Sequence, residues 1–275
     1  MPNNPGPIGV FDSGIGGLTI FKEIEKALPH YDYLYLGDNA RVPYGTRSFD
    51  TVYHYTWECI QHMFAKGCRL VIVACNTASA KALRNIQQNN LPTLTGLHRV
   101  LGVIRPTTEL IGKITTSGHV GIFATPGTVS SESYVIEINK FFPSLKVFQQ
   151  ACPMWVPLVE NNEHASAGAD YFVKKYIDLL LGRSASIDTI ILACTHYPLL
   201  LKKLKQFLPE SIKMISQDKL VADSLVDYLK RHPEIDALCT KTGERQYFTT
   251  ESTEDFNSKA SLFLGKEVVS QHLQL

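Results

Sequence analysis

The sequence lacks long hydrophobic runs, strong charge of either sign and disulfide-like cysteine spacing, and each absence excludes a class of protein. No stretch approaches the ~18 continuous apolar residues of a membrane-spanning helix. The 27 basic and 26 acidic residues leave a formal net charge of +1, and like charges form no long block, so we expect no nucleic-acid-binding surface. Residues 1–14 lack the basic and apolar regions of a signal peptide.

Cysteine usage argues against both a disulfide framework and a metal site. The six cysteines are few for a chain of 275 residues, and several lie inside apolar runs. That is typical of reduced thiols, so we expect a cytoplasmic protein. No pair has the CxxC spacing of a redox motif. Cys59, His62 and Cys68 lie close in sequence, but on and just beyond what looks like an amphipathic helix, so we expect no metal.

Short apolar runs alternate with amphipathic segments along the chain. The predicted strands are 8–11, 33–36, 70–74, 119–123, 189–193 and 212–215. The predicted helices are 17–28, 49–66, 77–89, 106–115, 131–141, 167–181, 198–207 and 218–230. Short apolar strands alternating with helices predict an α/β fold with parallel sheets covered on both faces.

A weak internal repeat runs through this alternation. IGVFDSG (8–14) aligns with VGIFATP (120–126), and LVIVACNT (70–77) aligns with TIILACTH (189–196). The two pairs occur in the same order at similar offsets. We interpret them as a duplicated half, although unrelated strand–helix units can look alike because the same physics shapes them.

Cys75 and Cys194 occupy matching positions in this repeat, directly after two predicted strands. Ligands of open parallel sheets bind beyond the carboxyl ends of strands, where helix N-termini favour thiolates. A lone cysteine is more often a small core residue, but two matched ones followed by polar residues indicate function. The other cysteines are interpreted as structural: Cys59, Cys68, Cys152 and Cys239.

Two such thiols are compatible with several chemistries. A redox pair would need the sulfurs to meet, and a zinc site would need more ligands. A thiol hydrolase would use one cysteine and leave the second idle. Proton transfer on opposite faces of one carbon uses both thiols, one removing a proton as the other returns it. The matched cysteines therefore favour stereoinversion.

Two loops after strands add further candidates. DSGIGGL (12–18) fails the dinucleotide fingerprint because Thr19 takes the third glycine position, yet its glycines allow a ligand close approach to backbone N–H groups. Asp12 could orient or deprotonate a neighbouring group, or equally could cap a helix. The loop GDNARVPYGTRS (37–48) is, in isolation, simply a turn.

Together these segments resemble the cofactor-independent glutamate racemases of the aspartate/glutamate racemase superfamily. The matching motifs span nearly the whole chain in order, namely DSGIGGL (12–18), GDNARVPYG (37–45), ACNTAS (74–79), CPMWVPLVE (152–160) and ACTHYPLL (193–200). The segment 247–265 is similar to the family's closing segment. His196 stands where aspartate racemases typically carry glutamate, which separates this sequence from them.

The resemblance implies a fold and a cellular role. It implies two Rossmann-like parallel-sheet domains related by pseudo-twofold symmetry, with the active site in the cleft between them. The first domain would comprise 1–98 plus 208–275, and the second 99–207. Glutamate would be the substrate, no cofactor or metal would be needed, and the D-glutamate would serve peptidoglycan synthesis in the cytoplasm. No nucleic-acid or membrane partner is implied, while homodimers are common in the family.

The resemblance also implies the site residues. Cys75 would act on D-glutamate with help from Asp12, and Cys194 on L-glutamate with help from His196. Glu160 would lie near the substrate ammonium or the second thiol. The implied substrate-binding residues are Asp12, Ser13, Tyr44, Gly45, Asn76, Thr77, Thr125, Thr128, Glu160, Thr195 and His196. The remaining rivals are a racemase of another amino acid, a non-catalytic amino-acid-binding protein and a thiol-dependent amidase.

Overall fold

The computed structural model describes residues 4–275, so the first three residues of the segment predicted not to be a signal peptide lie outside it. The strands are β1 (Ile8–Asp12), β2 (Tyr33–Gly37), β3 (Leu70–Val73), β4 (Arg99–Gly102), β5 (His119–Ala124), β6 (Lys146–Ala151), β7 (Thr189–Ala193), β8 (Lys213–Ile215), β9 (Arg245–Thr249) and β10 (Ser270–His272).

Helices connect these strands. The α-helices are α1 (Leu18–Ala27), α2 (Phe49–Ala65), α3 (Asn76–Lys81), α4 (Leu83–Asn85), α5 (Ile104–Thr108), α6 (Ile111–Ile114), α7 (Pro126–Ser130), α8 (Ser133–Phe141), α9 (Trp155–Glu160), α10 (Ala167–Leu181), α11 (Leu201–Phe207), α12 (Asp218–Arg231), α13 (Pro233–Asp236) and α14 (Thr253–Leu264). Among residues 4–275, no helix has both the length and the apolar character needed to cross a membrane.

The chain folds into two compact units, each with its own sheet. The first unit comprises residues 4–103 and Asp218–Leu275, and the second is Ile104–Gln217. The first sheet has the order β10-β9-β2-β1-β3-β4 and the second the order β6-β5-β7-β8. Every neighbouring pair is parallel. The predicted α/β fold with two parallel sheets is confirmed.

The units change over later in the chain than the sequence predicts. Strand β4 pairs with β3, so residues 99–103 stay with the first unit. Strand β8 pairs with β7, so the second unit continues to Gln217. The boundaries therefore follow Val103 and Gln217 rather than residues 98 and 207. The chain leaves each unit only after it has formed an edge strand of that unit's sheet, β4 in the first and β8 in the second.

The sequences of the central strands are continuous apolar runs because side chains on both faces of the sheet are buried. In β1, Ile8 and Val10 belong to one buried cluster, while Phe11 belongs to the cluster on the opposite face. Successive strand residues point to opposite faces, and helices cover both faces here. The second unit packs around the fully buried Trp155, whose ring centroid lies 4.8 Å from those of Phe123 and Tyr197.

The internal repeat in the sequence corresponds to a repeated arrangement of strands. The order β2-β1-β3-β4 in the first sheet is the order β6-β5-β7-β8 in the second. Phe11 pairs with Val73, and the residues aligned with them, Phe123 and Leu192, pair in the same way. The two sheets therefore carry Cys75 and Cys194 at equivalent strand ends.

A buried carboxylate at the amino end of β2 ties the first sheet together. Oδ1 of Asp32 accepts hydrogen bonds from Thr242 N, Thr242 Oγ1 and Glu244 N, at 2.8 to 2.9 Å. Burial opposes the negative charge, but these donors outweigh it and lower the pKa of Asp32 to about 2. Because the folded-state pKa lies below the ordinary value, Asp32 stabilises the fold above pH ~4, and this stability is lost as pH falls towards 2.

We expect Asp32→Asn to lower the free energy of unfolding by about 1–3 kcal/mol at pH 7, since an amide is a poorer acceptor for these donors. Urea unfolding at pH 7 and near pH 3 measures this, and the difference from wild type should shrink at the lower pH. Asp227→Asn is the control, because it only removes an exposed ion pair with Arg231. A difference that does not vary with pH would contradict this role of Asp32.

Candidate active site

Cys75 lies at a helix N-terminus, as predicted. It follows β3, is 6% exposed and is the N-cap residue of α3, where its Sγ accepts from Ala78 N at 3.5 Å. The next two residues, Asn76 and Thr77, form the first turn of α3 and are also buried. Backbone N–H groups at a helix N-terminus stabilise negative charge on sulfur.

Asp12 ends β1, the strand next to β3, and it does not cap a helix. Its Oδ2 accepts from Gly14 N at 3.0 Å, whereas the N-cap residue of α1 is Gly17, with no side-chain cap. The alternative interpretation of Asp12 as an N-cap is therefore wrong. A Cβ on Gly17 would lie 2.6 Å from Asp12 Cβ, so only glycine lets the loop fold this closely over the carboxylate.

The loop after β2 is anchored by Asp38, to which the sequence analysis gave no role. The hydroxyl of Tyr44 and Nε of Arg41 donate to Asp38 Oδ2, the latter at 2.7 Å. The backbone N–H of Asp38 donates to the carbonyl of Asp12 at 3.0 Å. Tyr44 and Gly45 are both buried. A carboxylate directly after a strand beside β1 was the signal that could have drawn attention to Asp38.

Cys194 follows β7 in the second unit and has an imidazole partner. Its Sγ lies 3.8 Å from His196 Nδ1, and His196 Nε2 is hydrogen-bonded to Glu160 Oε1. Cys194 is 7% and His196 is 3% exposed. Glu160 is the last residue of α9. The structure thus connects Glu160 to the second thiol through His196.

The charge state of His196 follows from these contacts. Burial disfavours the imidazolium, but hydrogen bonds and charge interactions with Cys194 and Glu160 outweigh burial and raise the pKa of His196 well above its usual value. A cation beside a thiol stabilises negative charge on the sulfur. His196 thus places a positive charge beside Cys194, whereas Cys75 lies at a helix N-terminus.

The prediction that both thiols lie at helix N-termini is right only for Cys75. After Cys194 the chain forms a 3₁₀ turn, Tyr197–Leu200, and α11 begins only at Leu201. Pro198 stands in that turn and has no N–H to donate. The two strand ends are equivalent in the repeat, but their electrostatic environments differ.

Two threonines lie at the end of β5, beside β7. Thr125 is the N-cap residue of α7, and its Oγ1 accepts from Thr128 N at 3.2 Å. Ala124 pairs with Ala193, so Thr125 follows one strand as Cys194 follows the next. Thr128 is fully buried, and Thr195 is 5% exposed. The predicted residues of the second unit therefore gather at one edge of its sheet.

The remaining cysteines are buried, free and chemically quiet. Burial raises the pKa of Cys68 and of Cys239 to about 12, and it raises the pKa values of Cys59 and Cys152 well above the usual range. These thiols stay protonated at neutral pH, which supports their interpretation as structural. No group of three histidine, cysteine, aspartate or glutamate residues within 4–275 is arranged to hold a metal.

Replacing Glu160 tests the charge state of His196. We expect Glu160→Gln to lower the pKa of His196, because the replacement removes the carboxylate that stabilises the imidazolium. If protonated His196 supports Cys194, the high-pH decline in kcat/KM should move to lower pH. A pH–rate profile measures this, with the exposed Glu163→Gln as the matched control. An unchanged profile would contradict the electrostatic role of Glu160.

Comparisons with known proteins cover both units. The profile of the Asp/Glu/Hydantoin racemase family matches residues 8–224. A glutamate racemase from Persephonella marina is 39% identical over 269 residues, which are 98% of this chain and 97% of that protein. A glutamate racemase isoform from Bacillus anthracis has a crystal structure similar to this one, with a TM-score of 0.88, 33% identity and coverage of 100% of this chain and 99% of that one.

A second solved structure comes from Francisella tularensis. That glutamate racemase, crystallised in complex with D-glutamate, has a TM-score of 0.85 and 29% identity, and the likeness covers 100% of this chain and 98% of that one. The family profile covers residues 8–224, and the relative and both solved structures cover 98% or more of this chain. The chain therefore belongs to the Asp/Glu/Hydantoin racemase family and is an amino-acid racemase.

Proposed function

We propose that this protein interconverts L- and D-glutamate by moving the Cα proton between two cysteine thiols, without a cofactor. The observation that carries the proposal is the equivalent placement of Cys75 and Cys194 at the carboxyl ends of two matching strands. Inversion at carbon needs one group to remove a proton and another to deliver one on the opposite face. The pair of thiols meets that need.

Glutamate as the substrate is supported by the relatives. The relative and the two solved structures described above are all glutamate racemases, and one was crystallised with D-glutamate. His196 stands two residues after the second cysteine, at the position where aspartate racemases typically carry glutamate. Both features favour glutamate over the shorter substrate.

In the proposed mechanism the thiols alternate in role. Cys75 as thiolate takes the proton from Cα of D-glutamate while the Cys194 thiol delivers its proton to the opposite face, and L-glutamate reacts in the reverse sense. The hydrogen-bonded Asp12 orients Cys75 or relays its proton, and the N-terminus of α3 offsets the carboxylate's charge. His196 exchanges a proton with Cys194, and Glu160 keeps the imidazole charged and oriented.

The Cα proton is a very weak acid, so the remaining residues must stabilise charge that develops during its removal. Preorganised N–H groups and hydroxyls around the substrate carboxylates do this without reorganisation. We propose that Ser13, Gly45, Asn76, Thr77, Thr125, Thr128 and Thr195 supply them. Because its hydroxyl donates to Asp38, we assign Tyr44 to substrate binding through its backbone.

The biological role follows from the same proposal. D-Glutamate is a component of bacterial peptidoglycan, and we propose that the protein supplies it in the cytoplasm, as the resemblance implies. A homodimer is in keeping with that family. Neither the supply of D-glutamate nor a homodimer requires a nucleic-acid or membrane partner.

Proton NMR of L-glutamate incubated with the pure protein in D2O tests the activity directly. We expect the Cα proton signal to disappear and D-glutamate to form without added cofactor, while L-aspartate in a parallel sample keeps its Cα proton. Persistence of the glutamate Cα proton with folded, reduced protein would refute the proposed reaction. Equal exchange of aspartate would refute its specificity.

A further inference from the structure

Two buried carboxylates flank β2, and each accepts a hydrogen bond from a different threonine near an end of β9. At the amino ends of these strands, Thr242 Oγ1 donates to Asp32 Oδ1 at 2.9 Å. At the carboxyl ends, Thr250 Oγ1 donates to Asp38 Oδ1 at 2.8 Å. The two hydrogen bonds are chemically alike, but only the second lies at the edge of the sheet that carries Cys75.

Thr250 also forms hydrogen bonds to the backbone on both sides of Asp38. Its hydroxyl also accepts from Ala40 N at 3.0 Å, and its own backbone N–H donates to the carbonyl of Gly37 at 3.2 Å. Thr250 therefore binds the last carbonyl of β2, the Ala40 N–H of the following loop and the Asp38 carboxylate between them.

Asp38 in turn holds the loop that carries Tyr44 and Gly45. Its side chain is fully buried, with Arg41 and Tyr44 donating to Oδ2 and Thr250 to Oδ1. A buried carboxylate needs donors on both oxygens, because an oxygen without one carries the full cost of desolvation. Burial, with the nearby Cys59 and Asp38, raises the pKa of Tyr44, so its hydroxyl remains a donor.

We propose that Thr250 is a positioning residue for the racemase site: it orients Asp38, which fixes the Tyr44–Gly45 backbone for substrate. This inference rests on the proposed role of Tyr44 and Gly45 in binding glutamate. Without the Thr250 hydroxyl, Oδ1 of Asp38 loses its donor, the carboxylate turns towards water and the hold on Tyr44 weakens. Thr250 itself touches neither thiol in this scheme.

Three variants test the proposal. Thr250→Val removes the hydroxyl while keeping the shape, and we expect KM for both glutamate enantiomers to rise about tenfold, the scale of one lost hydrogen bond to a charged group, with a smaller change in kcat. Thr250→Ser keeps the hydroxyl and should restore KM. Thr242→Val removes the matched bond to Asp32 and should leave KM unchanged, although both valine variants lower the melting temperature.

Hydrogen exchange followed by mass spectrometry measures directly how well the loop is held in place. In Thr250→Val, residues 38–47 should exchange faster than in wild type, whereas in Thr242→Val they should not. Unchanged KM with unchanged exchange in Thr250→Val, or an equal rise in KM in Thr242→Val, would overturn the positioning role. An inactive wild type would instead refute the proposed reaction, and the exchange comparison would still decide whether Thr250 holds the loop.

Discussion

Cys75→Ser and Cys194→Ser are each expected to lower the rate of glutamate racemisation by at least ~10³-fold, towards the upper end of what one positioned acid/base group contributes. A serine hydroxyl is a far weaker acid than a thiol, so it does not carry the negative charge that a base needs at neutral pH. Circular dichroism of the reaction, started from either enantiomer, measures the loss. Because enantiomers have equal free energies, kcat/KM must fall equally in both directions.

The control for these two variants is Cys239→Ser. The Cys239 thiol donates to the carbonyl of Ile235 at 3.3 Å, and a hydroxyl can make the same hydrogen bond. We therefore expect activity close to wild type. If either Cys75→Ser or Cys194→Ser retained activity within about tenfold of wild type, one thiol would be dispensable, and a single-thiol reaction would replace the two-base account.

His196→Asn is expected to lower kcat/KM by about 10²-fold, since it removes the group that exchanges a proton with Cys194. Asparagine can still hydrogen-bond, but it neither titrates nor carries positive charge beside the sulfur. The proton step at Cys194 should then limit the rate more strongly than in wild type. The primary isotope effect with α-deuterated L-glutamate should therefore increase relative to that with α-deuterated D-glutamate.

His119→Asn serves as the matched control for His196. His119 begins β5, and its Nδ1 lies 2.8 Å from Ser184 Oγ, at the opposite end of the sheet from Cys194. We expect its activity and isotope effects to resemble those of wild type. A His196→Asn variant with nearly normal rates, or with isotope effects that change equally for both enantiomers, would show that His196 has no specific role at the second thiol.

The central strands and the two thiols could be predicted from sequence because they are locally encoded. Strands β1, β3 and β7 are buried on both faces, so continuous apolar runs reveal them. Strands β6 and β10 were missed because their sequences, KVFQQA and SQH, carry polar residues where an apolar run was sought. These two segments form strands because they pair with neighbouring strands of their sheets, and their own sequences do not reveal that pairing.

Contacts between distant parts of the chain escaped prediction for the same reason. The family resemblance implied that Glu160 lies near the substrate ammonium or the second thiol, and only the packing of α9 joins it to His196. The Asp38–Thr250 hydrogen bond links residues 212 positions apart, and no local pattern encodes it. Motif matching found the residues expected to meet the substrate, whereas the residues that hold them required the fold.

The placement of deuterium at Cα in the first few per cent of the reaction tests the two-base claim most directly. L-Glutamate is incubated with the protein in D2O, the reaction is stopped early, and the enantiomers are separated and analysed by mass spectrometry. The two-thiol account predicts deuterium at Cα of the D-glutamate product and protium in the recovered L-glutamate, because one thiol removes the proton and the other delivers solvent deuterium. Deuterium appearing equally in the recovered substrate and the product would show that a single base serves both faces, and would contradict the account.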